Sequence, residues 1–181
     1  MISVVPASTG QQLDNVRDLM RAFVEWHRRR HPADQGLVND YFDADAFEEE
    51  LASLPGEYAP PAGCLLVATC DGEAAGCVAL RDLGNGVCEM KRMFVRTDLH
   101  GRGVGRALSA GVIDAARSMG FERMRLDTKC RADGSHRPVS VRGLHPDRAL
   151  LRVTRPYARV AGVHGTALLA SRIGDRPAGH D

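Results

Sequence analysis

A glycine-rich stretch, His100-Gly-Arg-Gly-Val-Gly105, stands between a strand-length apolar run, Cys88 to Val95, and an amphipathic pattern from about Val104 to Met119. That succession demands a strand, a tight turn and a helix as one unit, because only a turn lets both apolar faces meet one core. Gly101, Gly103 and Gly105 lack β-carbons, so backbone there can approach a ligand closely. The first-turn N–H groups and the dipole of the following helix favour an anion such as a pyrophosphate. Arg102 and Arg106 add positive charge at the same place. The G-x-x-x-x-G-K-[ST] phosphate loop is absent, and the spacing G-x-G-x-G differs from the dinucleotide fingerprint. From the loop alone, a tight turn with solvated arginines stands beside the anion site as a reading.

The rest of the composition fits one globular domain. The chain has 181 residues and 19.6 kDa, enough for a real core. Its hydrophobic fraction is 44% and its charged fraction 26%, which excludes a disordered chain. A formal net charge of +1 gives no overall field for nucleic acid or an anionic membrane surface. No apolar run approaches the ~20 residues of a membrane span, and the start, MISVVPASTG, lacks the pattern of a secretory leader. The expectation is a soluble cytoplasmic chain with no nucleic-acid and no membrane partner. Five cysteines, without a C-x-x-C pair, argue against both a disulfide framework and a zinc site. Cys64, Cys70, Cys77 and Cys88 lie in apolar strand-like runs and read as core.

Local signals order the elements. Ile2 to Val5 reads as a strand. Thr9 with Gln12 forms a capping box before the stripe Leu13, Val16, Leu19, Met20, Phe23 and Val24, a helix that Pro32 ends. Asp43 or Asp45 caps a second helix, with Phe47, Leu51 and Leu54 as its buried face. Cys64 to Cys70 and Ala74 to Leu80 are runs joined at Asp71-Gly72, a hairpin signal. After Gly84-Asn85-Gly86 comes the Cys88 to Val95 run, then the glycine loop, a helix closed by Gly120, and a strand from Arg123 to Thr128. The order predicts an α/β layer whose last unit is a β-α-β crossover. His27 and His31 flank Arg28, Arg29 and Arg30, which reads as a solvated helix end. Trp26 and Tyr41 suit either an amine pocket or the edge of the core.

The stretch CEMKRMFVRTDLHGRGVGRALSAGVIDAARSMGFERMRLDT resembles the acetyl-CoA-binding region of the GNAT N-acetyltransferase superfamily. The upstream segment from Tyr58 to Val95 resembles one bacterial branch of the same family, and the likeness covers roughly residues 1–128. It departs at His100, where the family has Arg or Gln. The resemblance implies a mixed, mainly antiparallel sheet with flanking helices, and acetyl-CoA as co-substrate. It implies that backbone groups of Met93, Phe94 and Val95 pair with the pantetheine arm, and that His100, Gly101, Arg102, Gly103, Val104, Gly105 and Arg106 hold the pyrophosphate. Glu89 falls where a family carboxylate acts as general base for a primary amine of a small molecule or peptide. Set against this is a surface Glu89 pairing with Lys91, two residues along the same face. No metal is implied. The alternative is an acyl-CoA-binding protein without turnover.

Past Thr128 the chain changes character. Residues 1–128 hold 14 basic and 19 acidic side chains, residues 129–181 hold 10 and 4, so the net charge moves from −5 to +6. One reading is a basic extension for a polyanionic partner. The other is a displaced reading frame: taking two bases of each codon and one of the next, Ser135 to His145 permits Ala-Ile-Ala-Leu-Tyr-Arg-Ser-Ala-Gly-Phe, which resembles the family's next helix. The Tyr of that segment, which in the family protonates the departing thiolate, falls on Val139. Residues 129–181 are therefore expected to be a divergent, poorly structured tail, with the family's closing elements missing or disordered. The Arg123 to Thr128 strand would then have an unpaired edge.

Overall fold

The computed structural model describes residues 1–30 and 42–126, and the backbone of residues 139–142 and 152–153. Among the described residues seven strands form one sheet in chain order: β1 (Ile2–Pro6), β2 (Gly63–Cys70), β3 (Glu73–Asp82), β4 (Val87–Val95), β5 (Arg123–Leu126), β6 (Val139–Arg142) and β7 (Arg152–Val153). Every neighbouring pair is antiparallel except β4 and β5, which run parallel. The helices are α1 (Gly10–Arg30), α2 (Ala44–Ser53) and α3 (Val104–Ser118). A parallel pair cannot be joined by a tight turn, and α3 supplies the crossover from β4 to β5.

The local signals act as their chemistry requires. Gln12 Oε1 accepts from the Ser8 and Thr9 amides at 3.0 Å, and Thr9 Oγ1 accepts from the Gln12 amide at 3.3 Å, closing the capping box of α1. Asp43 Oδ1 caps α2 through the Ala46 amide at 2.9 Å. Asp71 and Gly72 both take positive φ, the conformation a two-residue hairpin needs between β2 and β3. Gly120, at φ +81°, follows α3 as a left-handed stop.

Two apolar layers sandwich the sheet. On one face Val16, Leu19, Met20 and Val24 of α1, with Phe47 and Leu51 of α2, pack on Leu65, Val67, Cys77, Ala79 and Phe94. On the other, Val104, Leu108, Val112 and Ala116 recur every four residues along α3 and are fully buried against Leu66, Val78, Leu80, Cys88, Met90 and Met124. Burial of each larger side chain contributes ~1.5–3 kcal/mol, which holds α3 down on the crossover. Among the described cysteines, Cys70, Cys77 and Cys88 are buried free thiols and Cys64 is partly buried.

One expectation is overturned. The edge of β5 is not unpaired: Arg123–Leu126 is matched residue for residue by Val139–Arg142. The segment Val-Ser-Val-Arg departs from the family pattern, yet strand pairing uses main-chain groups, and β-branched residues suit it. The strand itself ends at Leu126, and Asp127 and Thr128 lie outside the described residues, as does most of the tail whose disorder was expected.

Candidate functional site

β4 pairs with β5 only from Val87 to Met90, opposite Arg123 to Leu126. It continues for five residues, Lys91 to Val95, with no strand on that side among the described residues. The Arg96 amide donates to Ala75 O at 2.9 Å, so the groups of Arg96 face β3, and by alternation those of Val95 face the open side. His100 Nε2 lies 3.0 Å from Val95 O, on that open side. A carbonyl only accepts, so Nε2 carries the proton. His100, which the resemblance places in the anion loop, thus uses its ring to tie that loop to the end of β4.

The glycine loop follows. A short 3-10 turn, Thr97–Leu99, leads into it, and the Arg102 amide donates to Leu99 O at 3.3 Å. Gly103 is the N-cap of α3 at φ +94° and has no side chain to satisfy the first amides. The first helical bond runs from the Ala107 amide to Gly103 O at 3.0 Å, which leaves the amides of Val104, Gly105 and Arg106 without helical acceptors. A β-carbon on Gly105 would stand 3.7 Å from Val95 Cγ2 and 4.0 Å from Met93 Cε. The uncapped helix start therefore packs directly over the side chains of Met93 and Val95, in the stretch of β4 that has no partner strand among the described residues. Arg102 is held away from it, its Nη2 donating to Asp71 Oδ2 at 2.7 Å on the β2–β3 hairpin.

The other face of β4 is charged. Cys88 and Met90 enter the α3 layer, so Glu89 and Lys91 point towards α1 and α2. Glu89 does not pair with Lys91. Its register partner Arg81 lies directly across on β3, and Arg81 Nε donates to Glu89 Oε2 at 2.7 Å while Nη1 reaches Glu57 Oε2 at 2.8 Å. Direct cross-strand neighbours are closer than residues two apart on one strand, which explains the choice. Burial lowers the Lys91 ammonium's affinity for its proton, and the charges of Arg81 and Arg92 lower it further. Arg92 Nε donates to Glu50 Oε1 at 2.9 Å and its Nη2 bonds Glu50 Oε2, while Tyr58 Oη donates to Glu50 Oε1 at 2.7 Å. Burial and the Glu50 bond raise the Tyr58 phenol out of the physiological range, so it stays protonated.

Sequence reasoning missed several of these contacts. The Arg81–Glu89 and Arg92–Glu50 pairs depend on register and on helix docking, which no local motif encodes. His27 is not at a solvated helix end: its ring lies 4.6 Å from Phe23, 5.0 Å from Trp26 and 6.0 Å from Phe42. α1 runs three residues past it, so position 27 still faces the core. Trp26 packs partly buried against the same layer, and His31 and Tyr41 lie outside the described residues. No helix among the described residues is long and apolar enough to cross a membrane.

Comparison with known proteins gives the family of this fold. Residues 18–137 fit the model of the acetyltransferase (GNAT) family. The chain belongs to the GNAT family. An uncharacterized N-acetyltransferase of Schizosaccharomyces pombe is 33% identical over 129 residues, covering 70% of this chain and 72% of that one. Among solved structures, the PaiA N-acetyltransferase of Thermoplasma acidophilum in complex with coenzyme A superposes with a TM-score of 0.57 at 13% identity, covering 78% of this chain and 99% of that one. A GNAT acetyltransferase of Staphylococcus aureus superposes with 0.54 at 17% identity, covering 71% and 73%. As a GNAT protein the chain is an acetyl-CoA-dependent N-acetyltransferase, moving an acyl group from acyl-CoA to an amine.

Proposed function

We propose that this GNAT enzyme transfers acetyl from acetyl-CoA to a primary amine of a small molecule or peptide, with Glu89 as general base. The open stretch of β4 facing the uncapped start of α3 supports this reading most directly. The amides from Gly101 to Arg106 receive the pyrophosphate, and the outward groups of Met93 to Val95 pair with the pantetheine arm. Glu89 sits one residue before the last β5-paired residue of β4, at the closed end of the gap, on the face towards α1 and α2. An ammonium approaching from that face gives its proton to the Glu89 carboxylate. The freed amine forms the new C–N bond at the acetyl carbon, the C–S bond breaks, and the departing thiolate takes up the second proton that the nitrogen gives up. Arg81 orients the carboxylate through its 2.7 Å bond. Isothermal titration with coenzyme A, then thiol release across an amine panel, tests the reading. Absence of coenzyme A binding refutes it.

One observation favours binding without turnover as a second reading. Val139, where the resemblance asks for a thiolate-protonating Tyr, is a strand residue paired with Leu126 and has no proton to give. On that reading, coenzyme A binds and thiol release stays at background until the frame-restored chain is used.

A further inference from the structure

The bulge in β4 is where the sheet changes phase. Its apolar residues on the α3 side fall at Cys88 and Met90, then at Met93 and Val95, with one residue too many in between. Opposite, the register jumps between Cys77 and Ala79. The extra residue is Arg92, at φ +54°. A glycine would take that conformation without steric cost, whereas a long side chain keeps it only when its surroundings hold it there.

Those surroundings are specific. The Arg92 side chain is only 8% exposed, grips both oxygens of Glu50 on α2, and lies 5.2 Å and 5.4 Å from the ring centres of Phe42 and Phe47. Tyr58 fixes the same carboxylate, and the Cys77 thiol donates to Arg92 O at 3.4 Å. Without the extra residue, every side chain after it would change faces, and the outward main-chain groups would change with them.

We propose that Arg92 is a positioning residue for the co-substrate. Clamped by Glu50 and Tyr58, it holds the bulge that turns the main chain of Met93 to Val95 towards the pantetheine arm, and so couples α2, on the acceptor side, to the acetyl-CoA strand. This rests on the function proposed above. It separates two parts of the ligand: the pyrophosphate belongs to the helix start, the pantetheine arm to the strand that Arg92 sets.

The experiment titrates the full chain with coenzyme A and with 3′-phosphoadenosine 5′-diphosphate, the nucleotide half that lacks the arm. Arg92→Ala and Glu50→Gln each weaken coenzyme A about tenfold, the order for one or two main-chain hydrogen bonds lost. Both leave the nucleotide half within about twofold, and the double variant loses no more than either single one. Arg92→Lys, which keeps the charge but not the fork, does not restore the affinity. If Arg92→Ala fails to melt cooperatively, the isosteric Glu50→Gln carries the same comparison. Equal losses for both ligands, or unchanged coenzyme A affinity, overturn the role of Arg92. A wild-type chain that binds neither ligand overturns the underlying function and this role with it.

Discussion

Replacing Gly76 by Ala probes the spacing between β3 and β4 where it matters most. Gly76 stands opposite Val95 in the register. A β-carbon there would lie 2.5 Å from Phe94 O, 3.0 Å from Leu108 Cδ1 and 3.3 Å from Val95 Cα. Ordinary contact begins near 3.4 Å, so the Phe94 carbonyl is about 0.9 Å too close. Leu108 can turn aside; a ladder carbonyl cannot, and β4 must shift. Overpacking of this kind costs ~1–3 kcal/mol, against ~0.4–1 kcal/mol gained by restricting the unfolded chain. A net loss of ~1–2 kcal/mol lowers the melting temperature by roughly 3–8 °C in a domain of this size. Because the displaced atoms belong to Phe94 and Val95, coenzyme A affinity falls as well. Gly111→Ala is the control: its β-carbon meets only the side-chain ends Leu66 Cδ1 at 3.2 Å and Val4 Cγ1 at 3.3 Å, and it gains helix propensity, so its melt stays close to wild type. Calorimetry and titration on both variants decide. A Gly76→Ala protein with unchanged melt and unchanged affinity refutes the claim that Gly76 sets the position of β4.

Three further outcomes follow from the site. Gly105→Ala melts within a few degrees of wild type, since its β-carbon meets only ordinary contacts, whereas Gly105→Val loses coenzyme A affinity at least ~10-fold by titration; Gly103→Val, at φ +94°, loses stability too. Glu89→Gln lowers turnover ~10²–10⁴-fold while coenzyme A affinity stays constant, measured by thiol release with any accepted amine. Burial alone would raise the Glu50 carboxyl, but the Arg92 bonds and charge and the Tyr58 bond outweigh it and hold it below the usual range. A depressed folded value means stability that is full above the ordinary carboxylate range and lost as pH falls through the folded value. Wild type therefore loses stability relative to Glu50→Gln as the pH falls through the ordinary carboxylate range and below it in urea melts, and parallel curves contradict the assignment.

Features that depend on neighbours in the chain were legible from the residues. The Thr9–Gln12 box, the Asp71-Gly72 turn and the Gly120 stop each involve a few adjacent positions. The place of the glycine loop between β4 and α3 was legible because glycine spacing is local as well. The strand position of Glu89 was legible, but its partner was not, since Arg81 reaches it only once β3 and β4 are in register. The bulge left a trace in the sequence, the three-residue step from Met90 to Met93 where a strand wants two, while its clamp on Glu50 needed α2 in place. The pairing of β5 with β6 was misjudged because Val139 to Arg142 was weighed against a family pattern, and its plain strand propensity was overlooked.

The open stretch of β4 has one more consequence, for solubility. Unpaired main-chain groups inside a sheet are a template onto which a strand of another molecule can add. Among the described residues that row is short, and it is broken by the left-handed residue Arg92. A foreign strand would meet a kinked ladder. The same irregularity discourages intermolecular zippering along the stretch of β4 that has no partner among the described residues.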